Sequence, residues 1–154
     1  MSQNRILDFD EVVENWEGDP VTVHYDNSTL AYSPAAILNG FIDFRKGGFT
    51  AVWHTGFVSR QYLDNTANKT RSLPAFSASD LELSYKLKFP KFIREVVFGL
   101  NIGNIFNSHH AANGWVYSAV SESYGYTLDK RYCQIGWIPV AGTTVMGSLK
   151  ITFR

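Results

Sequence analysis

Thr143-Thr-Val-Met-Gly-Ser-Leu-Lys-Ile-Thr-Phe-Arg154 decides the fold. Successive side chains of a strand point to opposite faces, so Val145, Gly147, Leu149, Ile151 and Phe153 fall on one side and Thr144, Met146, Ser148, Lys150 and Thr152 on the other. One face is apolar and ends in an aromatic. Such a strand suits a soluble sheet packed on a core, and it equally suits a barrel whose greasy side meets lipid.

The same period recurs upstream. Leu38, Gly40, Ile42 and Phe44 share one face, with Ile37, Asn39, Phe41, Asp43 and Arg45 opposite. Gly47-Gly48 follows, a pair suited to a tight hairpin because glycine tolerates positive φ. Phe49, Ala51, Trp53, Thr55 and Phe57 then line up on the return strand. Leu81, Leu83, Tyr85, Leu87 and Phe89 alternate with Asp80, Glu82, Ser84, Lys86 and Lys88, and after Pro90-Lys91 come Val96, Phe98, Leu100 and Ile102. The pattern predicts an all-β chain of about five antiparallel, up-and-down strands, each about ten residues long. The connections alternate: short at 47–48 and 89–92, long at 63–74 and 106–142. A membrane-spanning strand needs about 9–11 residues, and barrels of the outer membrane have short periplasmic turns and long outer loops. Residues 1–32 read as an irregular segment, an extracellular loop on the membrane reading, with a short helical stretch at Asp8–Trp16 stopped by Glu17-Gly-Asp-Pro20. Val21–Tyr25 reads as a short strand and Asp26–Ser28 as a turn. Residues 33–154 carry the strands.

Composition excludes more than it identifies. With 154 residues, 14 basic and 14 acidic, the formal net charge is zero, which offers no electrostatic footprint for nucleic acid. The single cysteine, Cys133, excludes an internal disulfide and a cysteine-based zinc cluster. No apolar run reaches the roughly 20 residues of a membrane helix, and residues 1–10 lack the apolar core of a signal peptide. Eleven Phe, eight Tyr and four Trp favour a β-rich fold. No nucleophile with a matching base stands out, no cofactor is expected, and the chain reads as a non-enzyme. Asp8, Asp10, Glu11 and Glu14 form an acidic cluster that reads as a solvated face. His109-His110 is too short a pair for a metal site unless a turn brings both imidazoles to one ion.

Three motifs carry a resemblance. Asn101-Ile-Gly-Asn-Ile-Phe-Asn107, Arg60-Gln-Tyr-Leu-Asp-Asn-Thr66 and Pro139-Val-Ala-Gly-Thr143 stand in the order and spacing of the carboxyl-terminal part of TonB-dependent outer-membrane receptors, and Phe153 is similar to the terminal aromatic that marks such barrels for assembly. The resemblance covers about residues 30–154. Arg154 departs from it by following that aromatic, and His109-His110 stands where an aromatic is more common. It implies a partial transmembrane β-barrel in the outer membrane, serving active uptake of a scarce ligand such as a siderophore, cobalamin, glycan or peptide. The implied partners are the rest of the barrel and its plug, outer-membrane lipid, and TonB through a segment this chain lacks. Leu81, Leu83, Tyr85, Leu87, Val96, Phe98, Leu100, Ile102, Leu149, Ile151 and Phe153 would then face lipid. Asp80, Glu82, Lys86, Asn101, Ser148 and Lys150 would face the lumen. His109, His110, Trp115 and Tyr117 are the candidate ligand contacts, placed in a long loop with Tyr124 and Tyr126. The competing reading is a soluble all-β protein that binds a small ligand in a closed apolar pocket.

Overall fold

The computed structural model describes residues 4–154. These form strands β1 (Arg5–Asn15), β2 (Val21–Thr29), β3 (Ile37–Lys46), β4 (Phe49–Val58), β5 (Gln61–Tyr62), β6 (Ser72–Leu73), β7 (Phe76–Lys88), β8 (Ile93–Gly103), β9 (Ala111–Val120), β10 (Tyr132–Pro139) and β11 (Thr144–Phe153), with no helix among the described residues. The chain divides into two compact units and passes between them at 36/37, 58/59, 75/76, 109/110 and 139/140.

One unit, built from 37–58, 76–109 and 140–154, is a five-stranded sheet in the order β11-β8-β7-β4-β3. Neighbours in space are neighbours in the chain within this unit, and every pairing is antiparallel. It is the meander that the alternation predicts. Register decides which side chains share a face. Ile42, Trp53, Leu81, Ile102 and Val145 form a row across all five strands. Phe44, Ala51, Leu83, Leu100 and Gly147 form the next, and Lys46, Phe49, Tyr85, Phe98 and Leu149 the one after. The opposite face carries Asp43, Glu82 and Asn101, then Arg45, Thr50, Ser84 and Ser148, then Lys86 and Lys150. A depression of about 350 Å³ opens on this polar face beside Thr50, Glu82, Ser84, Asn101 and Ser148.

Within this unit no element covers the apolar face. Leu149 is 58% exposed, Phe44 53% and Phe98 49%. The buried apolar side chains of the described residues are Val13, Leu63, Leu73, Ala119 and Val120, and all belong to the other unit. The sheet closes into no barrel, and β3 and β11 each leave one edge unpaired. Gly47 has a φ of 60°, and a Cβ on Gly48 would run into the carbonyl oxygen of Lys86, whose own N–H donates to the Gly48 carbonyl at 2.8 Å. Both turn glycines are thereby required. The turns at 47–48 and 89–92 lie at one end of the sheet together with Phe153, and residues 37, 58, 76, 103 and 144 lie at the other. Every Lys and Arg of this unit falls in the turn-end half: Arg45, Lys46, Lys86, Lys88, Lys91, Arg94, Lys150 and Arg154.

At the opposite end, the Asn101–Asn107 and Pro139–Thr143 motifs meet. Asn104 is buried, in the left-handed region at φ 49°. Its amide oxygen accepts from the Ser108 N–H at 2.8 Å, and its amide nitrogen donates to the carbonyls of Ser108 at 3.0 Å and Ala141 at 3.2 Å. Asn107 accepts from the Thr143 N–H at 3.2 Å, and the Thr143 hydroxyl donates to the Asn104 carbonyl at 2.7 Å. The two motifs are one clasp between the end of β8 and the start of β11. Asn104→Ala would strand the Ser108 N–H and the Ala141 carbonyl and place a Cβ-bearing residue without Asn's local bonds at positive φ. The expected loss is about 2–3 kcal/mol of local stability, read as faster amide exchange at Ser108 and Thr143 with Leu100 unchanged. Unchanged exchange at Ser108 would refute the clasp.

The other unit corrects the expectation for residues 1–32. The stretch 8–16 read as helical is strand: β1 and β2 form an antiparallel hairpin, and Asp26–Ser28 lies within β2 rather than in a turn. Asp8, at φ 53°, drops out of the register and shifts the alternation, which disguised the strand's period. The expected long loop at 106–142 is likewise half strand. β9 and β10 pair antiparallel from Tyr132↔Ala119 to Pro139↔Ala111, and β9 joins β1 through a short parallel contact at Glu14↔Ala119 and Asn15↔Val120. Leu63 and Leu73, from the 61–73 segment, pack against Gly114, where a Cβ would approach Leu63 to 3.2 Å.

Candidate functional site

The β9–β10 hairpin sorts its side chains by alternation. Gly114, Val116, Ser118 and Val120 lie on one face. Trp115, Tyr117 and Ala119 lie on the other, opposite Gly136, Gln134 and Tyr132. The Trp115 indole lies over Gly136 so closely that any Cβ there would strike it, and it stays 47% exposed. Trp16 joins this face from the end of the β1 hairpin. Its indole N–H donates to the Tyr117 hydroxyl at 2.9 Å, and its ring lies 5.2 Å from Tyr132, 6.0 Å from Tyr126 and 6.2 Å from Tyr124. Tyr132 also meets Tyr126 at 5.6 Å and Tyr117 at 6.3 Å. Edge-on and tilted rings at these distances attract by about 0.5–1.5 kcal/mol per pair beyond area burial. The Glu14 carboxylate beside the Tyr117 hydroxyl pushes that phenol's pKa up, so it remains a neutral donor and acceptor. The result is an aromatic surface with hydroxyls at its margin.

Beside it, Glu17 is locked in place. Its carboxylate accepts from the Ser121 hydroxyl at 2.6 Å, the Ser123 N–H at 3.0 Å, the Glu122 N–H at 3.1 Å and the Ser123 hydroxyl. Those donors, the Ser121 hydroxyl foremost, hold its pKa down to about 2. Glu17 therefore fixes the turn that carries Tyr124 and Tyr126 and is no proton donor at neutral pH.

The same unit holds a buried ionic group. The Arg71 guanidinium, its side chain 4% exposed, reaches Glu11 at 3.1 Å, Asp64 at 3.1 Å and the Thr66 hydroxyl at 2.7 Å. Arg131 donates to the other Glu11 oxygen at 2.9 Å, as does the Tyr25 hydroxyl at 2.9 Å. Burial alone would raise the Glu11 pKa, but the hydrogen bonds from Arg131 and Tyr25 and the two guanidinium charges outweigh it and the carboxyl falls below its usual range. Two carboxylates and two guanidiniums balance. Asp64 also caps Thr66, accepting from its N–H at 3.1 Å and its hydroxyl at 2.6 Å. The Asn65 amide oxygen takes the Ala31 N–H at 2.7 Å and the Asn65 carbonyl takes the Ser28 hydroxyl. The Arg60–Thr66 motif is thus a structural knot. Cys133, on β10, has its thiol pKa raised, chiefly by burial, and so has no thiolate character at neutral pH.

No family model matches this chain, and none of the curated proteins or solved structures compared with it is significantly similar.

Of the expected ligand contacts, Trp115 and Tyr117 come together, on a strand rather than a loop. His109 is exposed in the sheet unit, its Nε2 at 3.2 Å from the Asn107 amide nitrogen, and His110 begins the segment of the other unit. Among the described residues, no three His, Cys, Asp or Glu side chains gather as a metal site. Sequence reasoning missed Trp16, which reaches this surface across 101 positions, and Tyr132, which the β9–β10 register places opposite Ala119.

Proposed function

We propose that this chain is a segment of a membrane-spanning β-barrel, the carboxyl-terminal part of a TonB-dependent outer-membrane receptor for a scarce ligand. The observation that carries the reading is the five-stranded meander whose one face is apolar on every strand and bare on every strand. In water such a patch is a severe liability. In lipid it is what a barrel wall needs, because only paired strands satisfy the backbone there. Val145 to Phe153 covers eight residue steps, roughly 27 Å of strand before tilt, close to the apolar band of about 25 Å on such barrels. Both short turns lie at one end and both long connections leave from the other. The open edges of β3 and β11 await neighbouring strands of a complete wall. The receptor assignment leans on the motifs around Asn104, Asp64 and Thr143 and on Phe153, whose ring packs on Phe92 at 5.4 Å. On this reading the chain does no chemistry. Its sheet closes the wall, and its aromatic surface around Trp16 and Trp115 meets the ligand.

Trp53 tests the membrane part directly, since it sits mid-strand on the apolar face. In a W16F/W115F/W137F chain bound to lipid vesicles, Trp53 emission should shift to the blue and be quenched by lipids brominated along their tails. Emission at the wavelength of water-exposed indole, untouched by brominated tails, would sink the proposal.

A further inference from the structure

At the turn end of the sheet a depression of about 560 Å³ is lined by Lys86, Lys88, Phe89, Pro90, Arg94, Glu95 and Arg154. Four cations face one side-chain carboxylate, and that carboxylate already has Lys86 at 4.0 Å. Lys88, Arg94 and Arg154 make no ion pair among the described residues. The turn holds its shape without them: the Phe89 N–H donates to the Arg94 carbonyl at 3.1 Å, and the Arg154 N–H donates to the Phe92 carbonyl at 3.2 Å. The strand alternation puts Phe89 and Arg94 at the tip of the apolar face, whereas Lys86, Lys88 and Glu95 belong to the polar one. The depression therefore straddles the line where the apolar face stops, next to the exposed rings of Phe92 and Phe153.

We infer that this depression binds the phosphate of an acidic phospholipid headgroup. The inference rests on the membrane reading above and adds a partner to it. Guanidinium groups match phosphate oxygens in geometry and charge. Aromatic rings beside cations are the composition that settles at the headgroup level. A free anion in water would have no use for the apolar rim, and an acidic protein would have to cover the same apolar face that the lipid tails occupy.

Flotation of the full chain with vesicles tests it. Vesicles of phosphatidylcholine and the same vesicles doped with phosphatidylglycerol are compared for the unmodified chain, for K88Q/R94Q/R154Q, and for R5Q/K69Q/K130Q, which removes as many charges from the other unit. The unmodified chain should bind the anionic vesicles about tenfold tighter or more, since each cation near an acidic surface contributes roughly fivefold. The preference should vanish in K88Q/R94Q/R154Q and persist in R5Q/K69Q/K130Q. Equal affinity for both vesicles, or an equal loss in both variants, would overturn the headgroup site while leaving the membrane reading intact. Loss of the preference to inorganic phosphate but not to chloride of equal ionic strength would assign the depression to a free anion and overturn it too. Failure to float with either vesicle would instead sink the membrane reading on which the site depends.

Discussion

Replacing Arg71 with methionine should cost the unit that contains it about 3–5 kcal/mol, the range for removing one partner of a buried ion pair. The guanidinium touches Glu11 and Asp64, both carboxylates being at most one-fifth exposed, and among the described residues no other cation is within ion-pair distance of Asp64. Arg131 still holds one Glu11 oxygen, so Asp64 is the group left unpaired. The loss should appear as accelerated amide exchange throughout β1, β9 and the 61–73 segment, because all three contribute residues to the group or to the core it lies beside. The double variant D64L/R71M should recover part of the loss, since replacing a buried pair by apolar groups is often neutral where breaking it is not. A loss below about 1 kcal/mol, the range of an exposed pair, would show that water reaches these charges and that the group is no keystone.

Leu100→Arg is the second large effect, and its size should depend on the solvent. Leu100 lies in the middle of the apolar face, between Leu83 and Gly147 in register. On a barrel wall, arginine at the bilayer midplane costs about 2–4 kcal/mol. On a face bathed in water it costs almost nothing. Vesicle-bound chain should therefore lose stability towards denaturant by that amount, and the same substitution at Asn101, one residue on and facing the other way, should not. Equal effects at 100 and 101 would mean that the two faces see one solvent, and the membrane reading would fall with them.

The sheet was legible from its alternation because nothing interrupts it: from Leu81 to Leu87 and from Val96 to Ile102 every second residue is apolar, and the register preserves that phase across strands. The other unit was not. Asp8 sits at positive φ inside β1 and slips the period by one, so Phe9, Glu11 and Val13 turn inward together and the pattern reads as short and helical. In β9, Gly114 and Ser118 share one face with Val116 and Val120, which hides the strand behind small residues, of which Gly114 is required by the packing of Leu63 and Leu73. Buried charge was invisible for another reason. Glu11 reads as one of four acidic residues on a solvated face, and only the fold brings Arg71, sixty positions away, to neutralise it. Trp115 and Tyr117 could be picked out as aromatic; that Trp16 completes their surface could not, because a hydrogen bond across 101 positions leaves no local trace.

The clasp at Asn104 and Thr143 has a consequence for variation. It ties the two strand ends together at the base, through residues 104–108 and 141–143, before the intervening chain has contributed anything. Lengthening a loop whose ends are already pinned costs little, about 0.6 kcal/mol for each doubling. Insertions between those anchors should therefore leave the pairing of β8 with β11 as it is, and the chain between residues 108 and 141 can differ in length without loosening that pair of strands.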